Sequence, residues 1–324
     1  MMKKFRDNYS IVKELAALKR YLRKGHAKAS LIAADYQRYE SGLRGEQSTD
    51  YYLSGLPKND YYIYRGLRLL SDQYAFQMDT LLMNSRFLLP IETKNHAGII
   101  EIDENNHFFH IVNGNRIKIK SPLQQVSRQV YELQRWLIKK HLPNIPTPWL
   151  VVFSNPTTSI RNFSNDPLTK ERVVTIEDLK EHVLNLTELF ASKKASEKFT
   201  NSELKKINDY LLSHHSPKTT SILKSYNITI KDLETGVMCS QCQRFAMFYK
   251  NTLWHCPHCL ATSPDAHVQA LLDYFILIKS TITLKEGCHF LHLSSRNIVR
   301  RLFSTMNLKG QGHTRARQYS LPDK

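Results

Sequence analysis

Gln77-Met78-Asp79-Thr80 and Ile91-Glu92-Thr93-Lys94-Asn95 bracket the stretch whose reading decides the fold. Between them runs Leu81-Leu82-Met83-Asn84-Ser85-Arg86-Phe87-Leu88-Leu89, apolar on both sides of a short polar break. That pattern predicts strand, tight turn, strand. Such a hairpin sets Asp79 beside Glu92, although thirteen positions separate them. Alternate residues of a strand share a face, so Glu92 and Lys94 project to one side and Thr93 to the other. Two carboxylates and an ammonium on one face suit holding a divalent cation and orienting a water. The same residues also occur by accident on exposed hairpins, so spacing alone leaves ordinary surface charge as the alternative.

Outward from the hairpin, apolar runs at 61–64, 67–70, 98–102, 108–112 and 117–119 read as strands. Ser121-Pro122 opens a helix, with proline in the first turn, and Gln125, Val126, Val130, Leu133 and Leu137 repeat at helical spacing. Residues 149–153 form a continuous apolar run bounded by prolines, which reads as a buried strand. Residues 173–176 and a helix after Glu177 complete the succession. On the N-terminal side, 9–44 reads as one or two helices broken near Gly25, and 42–56 as a short helix stopped by Gly55 and Pro57. This order predicts an α/β sandwich with a mixed sheet.

The stretch from about Gly42 to Leu189 resembles the NERD domain, a nuclease-related branch of the PD-(D/E)xK superfamily. The matching features are Gly45-Glu46, Gln77-Met78-Asp79, Ile91-Glu92-Thr93-Lys94-Asn95 with Gly98, and Ser121-Pro122-Leu123-Gln124-Gln125. Met78 stands where the superfamily usually has proline, and Ser121 where the family has asparagine. The resemblance implies a restriction-endonuclease-like mixed sheet flanked by helices. It also implies a catalytic set of Glu46, Asp79, Glu92, Lys94 and Gln125. Asp79 and Glu92 would bind Mg²⁺ or Mn²⁺, and Lys94 would orient the attacking water. For Glu46 and Gln125, a solvated helix residue is the alternative.

Composition agrees with a nucleic-acid partner. The 324 residues carry a formal charge of +17, with a sequence pI near 9.6. Residues 1–44 hold eleven Lys/Arg against four Asp/Glu, and 265–324 hold nine against four, so the excess lies at the ends. A hydrophobic fraction of 41% supports real cores and argues against a disordered chain. No apolar run is long enough to span a bilayer, and no signal peptide is evident. The expectation is a cytoplasmic protein with no membrane partner and no small-molecule cofactor.

Cys239-x-x-Cys242 and Cys256-x-x-Cys259, thirteen residues apart, suit a tetrahedral structural Zn²⁺ in a zinc ribbon, with Phe245, Met247, Phe248, Tyr249 and Trp254 forming its strands. Redox-active cysteines are the alternative. Between the two regions, residues 202–212 read as a helix capped by Ser202, set between polar stretches that include His214 and His215. After the ribbon, helices at 267–278, 284–291 and from Ser295 onward, then a basic tip at 310–319, resemble a winged helix-turn-helix. Ser295, Arg296, Asn297, Arg300, Arg301, Arg315 and Arg317 are its candidate nucleic-acid contacts. A plain helical bundle with a basic tail is the alternative, with Cys288 a core thiol.

The sequence thus predicts a basic helical arm (1–41), a nuclease-like domain (42–190), a helical linker (191–235), a zinc ribbon (236–263) and a winged-helix-like domain (264–324). The expected function is metal-dependent hydrolysis of DNA phosphodiesters, the zinc ribbon and C-terminal domain holding the nucleic acid. A non-catalytic DNA-binding or regulatory protein that has kept the fold is the alternative.

Overall fold

The computed structural model describes residues 2–4, 7–72, 74–192, 198–217, 221–313 and 317–322. In chain order its elements are β1 (Met2–Lys4), α1 (Asp7–Tyr21), α2 (Ala29–Leu53), β2 (Tyr62–Leu70), β3 (Ala75–Met83) and β4 (Leu88–Lys94). Next come β5 (Ile99–Ile102), β6 (Phe108–Val112), β7 (Asn115–Ile119), α3 (Pro122–Lys139), β8 (Leu150–Phe153), β9 (Ser159–Asn162), α4 (Pro167–Arg172), β10 (Val173–Thr175) and α5 (Leu179–Ser192). The rest are α6 (Asn201–Ser213), α7 (Ile222–Ser225), β11 (Val237–Met238), β12 (Phe245–Lys250), β13 (Leu253–His255), β14 (Thr262–Ser263), α8 (Ala266–Leu277), β15 (Thr281–Thr283), α9 (Leu284–Leu291), α10 (Arg296–Thr305), β16 (Lys309–Gln311) and β17 (Gln318–Ser320). The chain divides into two compact units, one of residues 1–9 and 38–218 and the other of 10–37 and 219–324.

The first unit is built on a six-stranded sheet in the order β1-β2-β3-β4-β8-β10. β3 runs antiparallel to both β2 and β4, whereas β8 runs parallel to both β4 and β10. The sheet is therefore mixed, as expected. Asn84 closes the central hairpin: its Oδ1 accepts the backbone N–H groups of Arg86 (2.9 Å) and Phe87 (3.0 Å). A buried asparagine used this way satisfies turn donors that would otherwise be orphaned.

Helices cover both faces of the sheet. On one, Tyr64, Leu67, Met78, Leu81 and Met83 pack with Leu133, Trp136 and Leu137 of α3 and with Leu204, Ile207 and Leu211 of α6. On the other, Ile63, Leu82, Leu89, Ile91 and Val152 pack with Leu53 of α2 and Leu179, Val183 and Leu186 of α5. A second, four-stranded sheet, β7-β6-β5-β9, buries Ile100, Ile102 and Phe108 against Val126, Val151 and Phe153. The sequence pattern had predicted neither β9 nor α4.

Two expectations change. The short helix at 42–56 is the continuation of α2, which runs unbroken through Gly42 and Gly45. Gly45 belongs there because an added Cβ would lie 2.6 Å from Ser154 Oγ and 2.8 Å from Asn95 Cβ. Glycine there lets the helix approach the strands, and this outweighs its low helix propensity. The helix after the polar stretch is capped by Thr200 rather than Ser202. Thr200 Oγ1 accepts from Glu203 N (3.2 Å), and the Glu203 carboxylate takes the Thr200 N–H (2.8 Å). His214 and His215 are half-buried: His214 stacks on Tyr210, and His215 Nδ1 accepts the Arg68 N–H (3.2 Å).

In the second unit, β11-β12-β13-β14 form a small antiparallel sheet that carries the cysteine pairs. Helices α8, α9 and α10 are joined by a three-stranded sheet in the order β15-β17-β16. Thr283 and Glu286 close a capping box on α9. α9 and α10 approach so closely that a Cβ on Gly287 would meet Phe303 at 2.7 Å and Val299 at 2.8 Å. Cys288 is half-buried with a free thiol. α1 joins this unit through Arg20, which donates to both carboxylate oxygens of buried Asp273 (2.9 and 2.6 Å). Among the described residues, no helix is long and apolar enough to cross a membrane.

Candidate functional site

The β3–β4 register pairs Thr80 with Ile91, and its continuation sets Asp79 opposite Glu92. On the other side of β3, Arg65 pairs with Thr80 and Leu67 with Met78, so Gly66 stands opposite Asp79. Gly66 has φ 61°, a left-handed conformation open to glycine at little cost, and about 1–2 kcal/mol for other residues. The strand pair is therefore irregular at the position that presents Asp79.

Glu92 is almost wholly buried, and its two oxygens are held separately. Lys94 Nζ donates to Oε1 at 2.6 Å, and Gln129 Nε2 donates to Oε2 at 2.8 Å. Lys94 Nζ also donates to Gln125 Oε1 at 2.9 Å. Gln125 and Gln129 are four residues apart on α3, hence on one face, and that face lies over Glu92 and Lys94. Gln129 further donates to the Gln77 carbonyl oxygen (3.1 Å), which ties α3 to β3. Asp79 Oδ2 accepts the Thr93 N–H at 3.0 Å.

Thr93 faces the opposite way from its neighbours, as strand alternation requires. Its Oγ1 lies 3.3 Å from Thr49 Oγ1 on α2. One turn earlier on that helix is Gly45, with half-buried Glu46 beside it. Asn95 Nδ2 donates to the Ser41 carbonyl oxygen (2.7 Å), so α2 grips the end of β4 at two points. The structure thus gathers Asp79, Glu92, Lys94 and Gln125 into one hydrogen-bonded group. Glu46 stands on the helix that buttresses the group.

Burial pushes the Asp79 carboxyl above the usual range, against the Thr93 N–H and the charge of Lys94, which pull it down. Glu92 is raised by burial first and by the adjacent Asp79 second, with Lys94 and Gln129 opposing. Two anions here are costly without a cation. One lysine offsets part of that cost, and a divalent cation between the carboxylates would offset more. The oxygen donor set fits a hard cation such as Mg²⁺.

Sequence reasoning missed Gln129, Gly66 and Thr49. Gln129 could have been found from its four-residue spacing to Gln125, and Thr49 from its spacing to Gly45. Gly66 carried no sequence signal beyond being a glycine within an apolar stretch.

In the second unit, the Sγ atoms of Cys239, Cys242, Cys256 and Cys259 all lie within 4.8 Å of one another. The closest pairs are Cys239–Cys259 at 3.5 Å and Cys242–Cys256 at 3.6 Å. Four thiolates about 2.3 Å from a tetrahedral Zn²⁺ would stand about 3.8 Å apart. The four cysteines are therefore compatible with a structural zinc in a ribbon, and all are free thiols. Backbone N–H groups of Cys259 and His258 hold the Cys256 thiol down to about 6, whereas Cys259, lowered by the Ala261 N–H, is pushed up to about 12 by burial and the neighbouring sulfurs.

Of the C-terminal candidates, Arg296, Asn297, Arg300 and Arg301 are exposed on α10, while Val299, Leu302 and Phe303 are buried beneath them. Ser295 caps that helix, its Oγ accepting the Ile298 N–H. Arg300 donates to Asn297 Oδ1 (3.4 Å), and Arg301 to Tyr249 OH (3.3 Å). Arg317 is exposed just before β17. Arg315 lies outside the described residues.

A mixed sheet whose adjacent strands present two carboxylates and a lysine, steadied by a helix-borne glutamine pair, makes the first unit an α/β fold with a cluster of charge at one point on its sheet. Residues 41–154 match the family described as NERD, nuclease-related domain, so this stretch is a nuclease-related domain. The match takes in Glu46, Asp79, Glu92, Lys94, Gln125 and Gln129. No curated protein matches the chain. Among solved structures, the crystal structure of protein VC1899 from Vibrio cholerae aligns at 12% identity over 57% of this chain and 53% of that one, with a TM-score of 0.24. The aligned part is about half of that protein's length, and at this score the likeness carries no weight.

Proposed function

We propose that the first unit is a metal-dependent nuclease that hydrolyses phosphodiester bonds in DNA. The observation that carries this reading is the single bonded group of Asp79, Glu92, Lys94, Gln125 and Gln129 within the nuclease-related domain. Asp79 and Glu92 would hold Mg²⁺ or Mn²⁺, with Glu46 contributing from the helix side. A divalent cation there supplies Lewis-acid activation of water and neutralises charge on the phosphate.

The protein's own residues do the rest. Gln129 and Lys94 each fix one oxygen of Glu92, so this carboxylate is oriented before substrate arrives. Gln125 holds the Lys94 ammonium at the edge of the group, where it can orient the attacking water and offset negative charge developing on the phosphate. Thr93 N–H fixes Asp79 in the same way.

A structural zinc in the ribbon would stabilise a unit too small to fold on its apolar core alone. The order α8, β15, α9, α10, β16, β17 supports a winged-helix reading of the C-terminal segment. In it α10 would enter a major groove, with Ser295, Arg296, Asn297, Arg300 and Arg301 at the contact and Arg315 and Arg317 on phosphate. Free cysteines in Cys-x-x-Cys pairs support a cytoplasmic setting.

The test is a cleavage panel on purified protein with Mg²⁺ or Mn²⁺, with and without chelator, beside Lys94→Ala. We expect cation-dependent cutting or nicking of DNA that Lys94→Ala abolishes while its thermal unfolding stays unchanged. Equal degradation by wild type and variant would overturn the nuclease reading.

A further inference from the structure

The second unit contains a cleft that the nuclease chemistry does not use. It has a volume of about 690 Å³ and lies between α1, the start of α2 and the first knuckle of the cysteine sheet. Its apolar lining includes Leu22, Tyr36, Met238 and Phe245, and its cations are Lys19, Arg20, Lys24 and Arg244. One carboxylate, Glu234, lines it. Arg20 is committed to Asp273 and forms a wall rather than a ligand group. Lys19 Nζ stands 5.2 Å from the centroid of the Tyr36 ring. Lys19, Lys24 and Arg244 are exposed, whereas Tyr36 and Phe245 are half-buried.

We propose that this cleft binds single-stranded nucleic acid, with bases against Tyr36 and Phe245 and phosphates on Lys19, Lys24 and Arg244. An aromatic floor under a rim of cations answers a ligand that has a flat π-face and a phosphate in each repeat, and stacking of this kind tolerates any base. A recess of this size accepts groups the size of one small ligand. A duplex keeps its bases stacked inside and presents a major groove about 12 Å wide, so its bases cannot reach such a floor. An acidic peptide would use the rim and leave the aromatic floor unfilled.

The test is fluorescence anisotropy of the full chain with a labelled oligothymidylate of about 15 nucleotides and with a duplex of the same length. No divalent cation is added, so binding is read apart from cleavage. Its failure would leave the nuclease reading untouched. We expect Lys24→Glu with Arg244→Glu to weaken single-strand binding at least about tenfold and to lower the salt slope by about 0.7 for each phosphate no longer neutralised. Duplex binding should stay within about twofold, which also reports that the variant is folded. Tyr36→Leu should weaken single-strand binding with the salt slope unchanged. The proposal is overturned if wild type does not bind the single strand or if the double variant binds it as tightly as wild type. It is equally overturned if single strand and duplex weaken together, or if polyglutamate displaces the oligonucleotide at equal charge.

Discussion

Gln129 donates its side-chain amide to Glu92 Oε2 at 2.8 Å from a position that is itself almost fully buried. A neutral donor on the helix side leaves Lys94 as the sole ammonium bonded to this carboxylate among the described residues, on its other oxygen. The glutamine thereby fixes the carboxylate without adding charge to the site.

If Gln129 positions Glu92 as a cation ligand, Gln129→Leu should fold and yet bind the cation less well. Loss of a partner behind a metal ligand costs about 10–100-fold in affinity or activity. We expect the Mg²⁺ concentration for half-maximal cleavage to rise on that scale. A metal titration that overlays wild type would remove Gln129 from the site.

Two glycines on α2 should respond in opposite directions. Gly42→Ala meets nothing within 4 Å and should stabilise the helix by up to about 1 kcal/mol. Gly45→Ala would press on Ser154 and Asn95 and should destabilise by about 1–3 kcal/mol. Urea midpoints of the two variants, measured side by side, check the sign of each.

His267 gives the second unit a pH-sensitive joint. Its Nδ1 accepts the Trp254 indole N–H (3.2 Å), and Nε2 lies 3.2 Å from Thr305 Oγ1, so the buried ring is needed neutral. Burial lowers its pKa below the ordinary 6.5, with Asp265 opposing more weakly. As pH falls below 6.5 the unfolded chain takes up this proton and the folded chain does not, so stability is lost down to the folded value and is fully present above 6.5. The stability advantage of wild type over His267→Gln should therefore shrink as the pH falls below 6.5. Parallel decline of the two proteins would assign the loss elsewhere.

Metal analysis should find about one zinc per chain, and Cys239→Ser should lower it. Trp254 is fully buried on β13 of the cysteine-bearing sheet, so zinc removal should shift its emission to the red. Trp254→Phe should lose that shift, since the other tryptophans, Trp136 and Trp149, lie in the first unit. A shift retained in Trp254→Phe would mean that the metal affects the first unit instead.

The hairpin was legible because strand alternation is strict: Glu92 and Lys94 on one face and Thr93 on the other follow from parity alone. Helix α3 was legible from its apolar positions, and for the same reason Gln129 was passed over, since a polar residue on an apolar face reads as an interruption. The continuity of α2 was hidden because glycine usually ends helices. At Gly45 it marks a close approach to Asn95 and Ser154, which only tertiary structure reveals. Thr200 was missed as a cap in favour of the serine two residues later. The choice turns on Glu203, which is three residues from Thr200 and only one from Ser202. The Asp273 partner of Arg20 lies 253 positions along the chain, beyond any local pattern.

That last pairing sets an order on synthesis. Residues 10–37 belong to the same compact unit as 219–324, and 38–218 lie between them in the chain. At about 5–20 residues per second, the ribosome takes roughly 10–40 s to make those intervening 181 residues. During that time α1 has been made and Asp273 has not. The nuclease-related unit can be complete by then, so the protein acquires its carboxylate site before the unit that contains its basic cleft. A fragment that starts at Thr219 would never acquire the missing helix.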